Sequence, residues 1–185
     1  MRYPALDRNN RIQLELPRAT SVLLVFDSED TEEQFIPVMT APDGHEIDGP
    51  WQVILNHING DIKTLEFDEL SDLTDLEETR HFAGEIEYFK IINIDSEDFQ
   101  YIDLGDVQGV SELTVNGKDL GTRWYGRHTY QLGEALNKGE NKIRIKLTTI
   151  LGNHMKSLED NPVAMAWTRR QQYFSMGIIG PVRMI

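Results

Sequence analysis

A chain of 185 residues with 39% apolar content is the size of one large domain and can bury a single core. It has no cysteine, which excludes a disulfide framework and any cysteine-ligated zinc or iron–sulfur site. The formal net charge of −13 argues against nucleic acid or an anionic membrane as partner, and it is uneven: residues 1–110 carry 25 acids against 7 bases, residues 111–185 carry 6 against 11.

The opening MRYPALDRNN lacks the apolar stretch of a signal peptide, and no apolar run reaches the length that crosses a bilayer. The expectation is a cytoplasmic protein, or one that has lost a signal or a larger upstream portion and would then be periplasmic or extracellular. Arg11 to Leu16 alternates Ile12, Leu14 and Leu16, and after Pro17 the run Ser21 to Phe26 is apolar throughout. Two strands are predicted there, the second buried on both faces. Asp27 to Pro50 is linker-like, with Pro37, Pro42 and Gly44, and its acids Glu29, Asp30, Glu32 and Glu33 read as a solvated face rather than a metal site. Residues 1–46 are therefore taken as an N-terminal β segment with an acidic linker, and 47–185 as the main domain.

Trp51 to Asn56 and Ile62 to Phe67 read as strands joined by the Asn59-Gly60 turn, whose residues tolerate the positive φ of a tight hairpin. Asp68 to Thr79 spaces Leu70, Leu73 and Leu76 by three, which suits a short helix or a loop on the sandwich edge. His81 to Ile94 is the longest β-type run and predicts a central strand, followed by a turn at Asp95 to Asp98. Strands follow at Gln100 to Leu104 and Glu112 to Val115, then the turn Asn116-Gly117 and a return strand through Lys118 to Trp124. After a loop of aromatics and arginines come a short strand, a turn at Gly139 to Asn141, and Lys142 to Thr148. In that last segment Ile143, Ile145 and Leu147 alternate with bases, the mark of a half-buried strand. Leu151 to Ser175 is the least regular segment, a long excursion carrying Asn153, His154, Trp167, Arg169, Arg170, Tyr173 and Phe174. Long loops on a rigid sandwich are where binding groups tend to be carried.

Several of these pieces share one pattern: Asp103-Leu104-Gly105, Leu113-Thr114-Val115-Asn116-Gly117-Lys118, Gly121, Trp124, Tyr130, and Lys138-Gly139-Glu140-Asn141. Flanking them are Gly49 to Val53, Phe82 to Tyr88 and Gly177 to Arg183. Together they resemble the galactose-binding-like jelly-roll domain of large glycoside hydrolases. Such domains occur in glycoside hydrolase family 2 and, more closely here, at the C-terminal end of the family 106 α-L-rhamnosidases. The resemblance covers about residues 47–185 and implies an all-β fold, an antiparallel β-sandwich of jelly-roll type with little helix. In rhamnosidases of this kind a segment like Ile12 to Phe26 ends the preceding β domain, so the resemblance implies that residues 1–46 are a remnant of a preceding domain. At the corner after the last long strand, Gly152-Asn153-His154-Met155 matches the family pattern only in part. Jelly rolls of this type often hold a structural calcium, and Asp95, Glu97, Asp98, Asp103 and Asp106 cluster in sequence, although their spacing matches no calcium loop. No other cofactor is expected.

Neutral sugars are held by aromatic platforms and planar hydrogen-bonding groups. Arg123, Trp124, Tyr125, Arg127 and His128 supply both in one loop, and Trp167, Arg169 and Tyr173 in the other. If the two loops meet at one end of the sandwich, as the resemblance implies, they build a shallow basic-aromatic cleft. The alternative is that Trp124 and Trp167 anchor core or loops and the arginines pair with the acidic surface. Asp72 and Asp75 could act as acid and base, but the resembled enzymes keep such pairs in a separate barrel, so surface carboxylates are the expectation. The histidines His45, His57, His81, His128 and His154 show no HExxH spacing, and no glycine-rich phosphate loop is present. The expected function is non-catalytic: a carbohydrate-binding or accessory module of a rhamnosidase-like system, with an oligosaccharide as partner. The alternative is an interaction domain that docks and buttresses a separate catalytic glycoside-hydrolase barrel.

Overall fold

The computed structural model describes residues 44–95 and 99–185. The strands expected at 11–16 and 21–26, the acidic run through residue 43 and residues 96–98 of the next turn lie outside the described residues. The elements described are β1 (His45–Glu46), β2 (Trp51–His57), β3 (Ile62–Phe67), β4 (Gly84–Ile94), β5 (Tyr101–Asp103), β6 (Asp106–Gln108), β7 (Val110–Val115), β8 (Lys118–Arg123), β9 (Thr129–Gln131), β10 (Gly139–Thr148), α1 (Gly152–Ser157), α2 (Pro162–Thr168), β11 (Gly177–Gly180) and β12 (Arg183–Met184). One sheet runs β3-β2-β4-β10-β7-β8, a second β1-β12-β5-β9, and β11 pairs with β6. The strand ladders are antiparallel, and the described residues form the all-β sandwich that the resemblance implies.

The alternation in β10 works as expected. Ile143, Ile145 and Leu147 are buried against the second sheet, while Arg144 and Lys146 face solvent and pair with Glu87 and Glu112 at 2.8 and 2.9 Å. Each such aliphatic side chain contributes about 1.5–3 kcal/mol on burial. The ion pairs are exposed and contribute about 1 kcal/mol or less each, so the inner face dominates. Trp51, Val53, Leu55, Ile86, Tyr88 and Leu113 extend this core, which Ile102, Tyr130 and Met184 of the second sheet and Leu104 just after β5 close.

Turn chemistry explains the recurring Asn and Gly. Asn116 and Gly117 adopt φ of +52° and +82°, the mirror-image turn that suits strand twist. Asn116 also donates to the Ala135 carbonyl and to Asn141 Oδ1, both at 2.8 Å, and accepts from the Lys142 amide at 2.8 Å. Asn141 is buried, and its side chain closes on the Asn137 and Gly139 carbonyls and the Asn137 amide. The two asparagines thus splice the β7–β8 turn to the start of β10.

Two local expectations change. Gly139 to Asn141 is strand rather than turn, because β4 is long enough to pair with it, Gly139 lying opposite Ile94 and Asn141 opposite Ile92. The excursion after β10 folds into two short helices rather than an irregular loop. Asn161 caps α2 by accepting from the Val163 and Ala164 amides at 3.0 and 3.1 Å, and Pro162 occupies the first turn, where its missing N–H costs nothing. The Asp68 to Thr79 segment is a loop rather than a helix, pinned by buried Leu73.

Candidate functional site

Strand register sets which loops share an end. In the six-stranded sheet His57 lies opposite Gly84, Glu85 opposite Thr148, Thr148 opposite Val110, and Ser111 opposite Arg123. The loop after β8 and the helical excursion after β10 therefore leave the sheet at the same end. Along that end β2 and β8 are four strand spacings apart, roughly 19 Å at about 4.8 Å each.

The first group stands on a buried hydrogen-bonded chain. His128 Nδ1 lies 2.6 Å from Ser111 Oγ, which lies 2.6 Å from the Tyr130 hydroxyl, and that hydroxyl donates to the Ser111 carbonyl at 2.8 Å. A carbonyl only accepts, so the Tyr130 proton is committed to it. Ser111 must then donate to Tyr130, and His128 must donate from Nδ1 to Ser111. Burial lowers the His128 pKa, helped by the Arg123 charge and opposed by Asp103. Arg123 lies over the Tyr130 ring at 4.9 Å and donates to the Thr129 and Thr122 carbonyls at 3.2 and 3.0 Å. Arg127 is 3.8 Å from the Asp103 carboxylate.

Above this root the loop tip is open. Trp124 is 75% exposed and Tyr125 50%, with ring centres 5.8 Å apart in a tilted pair, and Gly126 at φ +73° turns the chain back. The five residues predicted in this loop thus divide by role. His128 is buried and Arg123 braces the root, whereas Trp124 and Tyr125 face solvent.

The second group sits on the excursion. Trp167 is 71% exposed on α2, one turn from exposed Val163, and Arg169 is exposed at the helix end. Tyr173 is part of a cluster: its hydroxyl lies 3.3 Å from His81 Nε2, and the cations of Arg80 and Lys156 lie 5.6 and 5.0 Å from its ring centre. Lys156 also donates to the Thr168 carbonyl at 3.2 Å and to that of Gln171, tying α1 to the end of α2. Arg80, His81, His57 and Lys156 escape prediction because they approach Tyr173 and His154 only through the fold, and no local spacing links them.

Asp72, one of the two carboxylates considered for acid–base work, is enclosed by donors. Its Oδ1 accepts from the Thr74 amide and hydroxyl and from the Met176 amide at 2.7–3.0 Å. Burial raises its pKa, but these bonds, with one from Ser175, outweigh it and the net shift is downward. The clustered acids Asp103 and Asp106 accept from Gly105 and Gln108, and among the described residues no group of three or more His, Asp or Glu could hold a metal ion. Glu97 and Asp98 lie outside the described residues. A groove of about 340 Å³ runs between β1 and β4, lined by Ile47, Lys90, Ile92 and Met184 among others, but by none of the predicted site residues. Among the described residues no helix is long and apolar enough to cross a membrane.

No family model matches the sequence. A curated relative, "Putative beta-glucuronidase" of Formosa agariphila, is 24% identical over 185 residues, covering 80% of this chain and 16% of its own length. Among solved structures, the rhamnosidase of Novosphingobium sp. PP1Y superposes with a TM-score of 0.63 at 21% identity, over 83% of this chain and 16% of its own. The β-glucuronidase of Ruminococcus gnavus gives a TM-score of 0.48 at 14% identity, over 62% of this chain and 23% of its own. The fold is thus an all-β fold resembling the sugar-binding domains of glycoside hydrolases, and the chain spans 16% of the length of the first two proteins.

Proposed function

We propose that this chain is a non-catalytic accessory module of a glycoside-hydrolase system, rhamnosidase-like in kind, and that its β8–β9 loop contacts carbohydrate. The observation that carries this reading is the exposed Trp124–Tyr125 pair on a loop whose root is locked by His128, Ser111 and Tyr130. An indole held in the open at low conformational cost can stack on the C–H face of a pyranose, and Arg127 of the same loop has planar donors suited to hydroxyls. The reach of the module across only 16% of the hydrolases it matches supports an accessory place. Asp72 is taken up by the Thr74 and Met176 donors, which fits a structural role for that carboxylate.

Calorimetric titration with rhamnose- or galactose-containing oligosaccharides is expected to give weak binding that Trp124→Ala or Arg127→Ala abolishes. Absence of heat across a broad panel of plant and host glycans would sink the binding role. A second reading is favoured by the apolar pair Val163 and Trp167, 63% and 71% exposed one turn apart on α2. In it, this face docks the module onto a catalytic domain of the same hydrolase.

A further inference from the structure

Three histidines from three separate parts of the chain converge where the α1–α2 hairpin meets the sandwich. His57 ends β2, His81 precedes β4, and His154 lies on α1. The rings of His57 and His154 meet edge to face with centres 4.9 Å apart, and Phe82 stands edge-on to His57 at 5.3 Å. His81 bridges the seam twice: Nδ1 is 3.3 Å from the Asn153 carbonyl on α1, and Nε2 is 3.3 Å from the Tyr173 hydroxyl. Since a carbonyl cannot donate, His81 carries its proton on Nδ1 and receives the Tyr173 proton at Nε2. His57 Nδ1 in turn accepts the Asn59 amide at 3.1 Å, which requires that nitrogen to be bare.

We propose that His57, His81 and His154 form an acid-sensitive clasp, which holds the α1–α2 hairpin on the end of the sandwich near neutral pH and releases it as His154 takes up a proton against the His57 ring. The inference does not rest on the accessory-module reading. A proton on His154 would set a charge edge-on against the His57 ring, 4.9 Å away, whose Nδ1 already accepts the Asn59 amide. His81 meanwhile spans the seam between the Asn153 carbonyl and the Tyr173 hydroxyl, and the Tyr173 ring has the Arg80 and Lys156 cations beside it. The surrounding carboxylates are committed elsewhere or solvated. Asp61 holds the Asn59 side chain at 2.7 Å, Glu78 pairs with Lys63, Glu85 with Lys146, and Asp72 holds the Met176 amide. Asp75, Glu77, Glu159 and Asp160 are exposed.

The sign follows from the same contacts. Burial lowers the His154 pKa below 6.5, and the His57 and His81 charges add to this against a hydrogen bond involving His81. A released hairpin therefore binds a proton at His154 before a docked one does. Docking is fully favoured above about pH 6.5 and weakens as pH falls toward the docked value.

Amide hydrogen exchange of the full chain, corrected for the intrinsic pH dependence of exchange, reads this directly. Between pH 7.5 and 5.5 the amides of residues 152–168 are expected to open more readily, by up to about ten-fold, which is the ratio for one proton taken up over one pH unit. Those of β4 and β10 should not change. In His57→Gln/His154→Gln protein the ratio should fall by at least half. A wild-type ratio near one, or the wild-type ratio retained in the variant, would overturn the clasp. Should the variant lose protection in β10 as well, the NMR titration of wild-type His154 decides instead: a midpoint below 6.5 supports the clasp and one at or above 6.5 refutes it.

Discussion

Ser111 shows how a small residue can carry a loop. It sits in the outer part of β7 yet is fully buried, and its hydroxyl is both the acceptor for His128 and the donor to Tyr130. Ser111→Ala leaves one buried donor and one buried acceptor without partners, which should cost about 1–3 kcal/mol in urea unfolding. His128 adds a pH dependence of definite sign. Because its folded-state pKa lies below 6.5, the unfolded chain takes the proton first. The His128 contribution is complete above about pH 6.5 and is lost as pH falls toward the folded value. Thermal unfolding should therefore show Tm dropping between pH 7 and pH 5, and less steeply in His128→Gln protein; equal slopes would refute the assignment. Gly105, in the Asp-Leu-Gly triplet, is legible in sequence only as part of a pattern. Its reason is tertiary: at φ +71° a Cβ would stand 2.5–2.7 Å from the backbone of Gly180 and Pro181.

At the level of elements, period-two alternation and the two Asn-Gly turns are local signals, and β2, β3, β7 and β8 lie within two residues of where those signals put them, while β4 begins at Gly84 rather than His81. The misplaced start of β10 has a non-local cause, since whether Gly139 to Asn141 turns or pairs depends on the reach of β4. The helices of the excursion did have a local signal, Asn161 followed by Pro162, which is a helix start. With α2 only seven residues long, propensity alone cannot hold it, and the cap has correspondingly large leverage. Asn161→Ala should weaken α2 by about 1 kcal/mol. Hydrogen exchange would show this as about five-fold faster opening of residues 163–168 with β10 protection intact; unchanged opening would mean that packing, and not the cap, holds the helix.

On the scale of the whole molecule, the candidate site is a question of what the fold brings to one end. The register places the β8–β9 loop and the helical hairpin at the same end of the six-stranded sheet, but spreads them along it. Sugar contact and docking can thus be separate properties of one rim, and they are separable by mutation. In the docking reading, mixing the chain with the catalytic portion of its hydrolase should give a stable complex that Trp167→Ala weakens at least ten-fold, about 1.4 kcal/mol, while Trp124→Ala leaves it intact. Failure of the wild-type chain to associate would remove that reading and leave the glycan one standing.

By itself the amino-acid order determined the core of β2, β3, β7 and β8, the two Asn-Gly turns and the buried face of β10, because these depend on side-chain periodicity and on which residues accept positive φ, while the fold was implied by the family resemblance of the motif from Asp103 to Asn141. Only the tertiary structure decided that His128 is spent inside while Trp124 stands in the open, and that His57, His81 and His154 share one seam. Such facts depend on the register of distant strands, which no local stretch of sequence encodes.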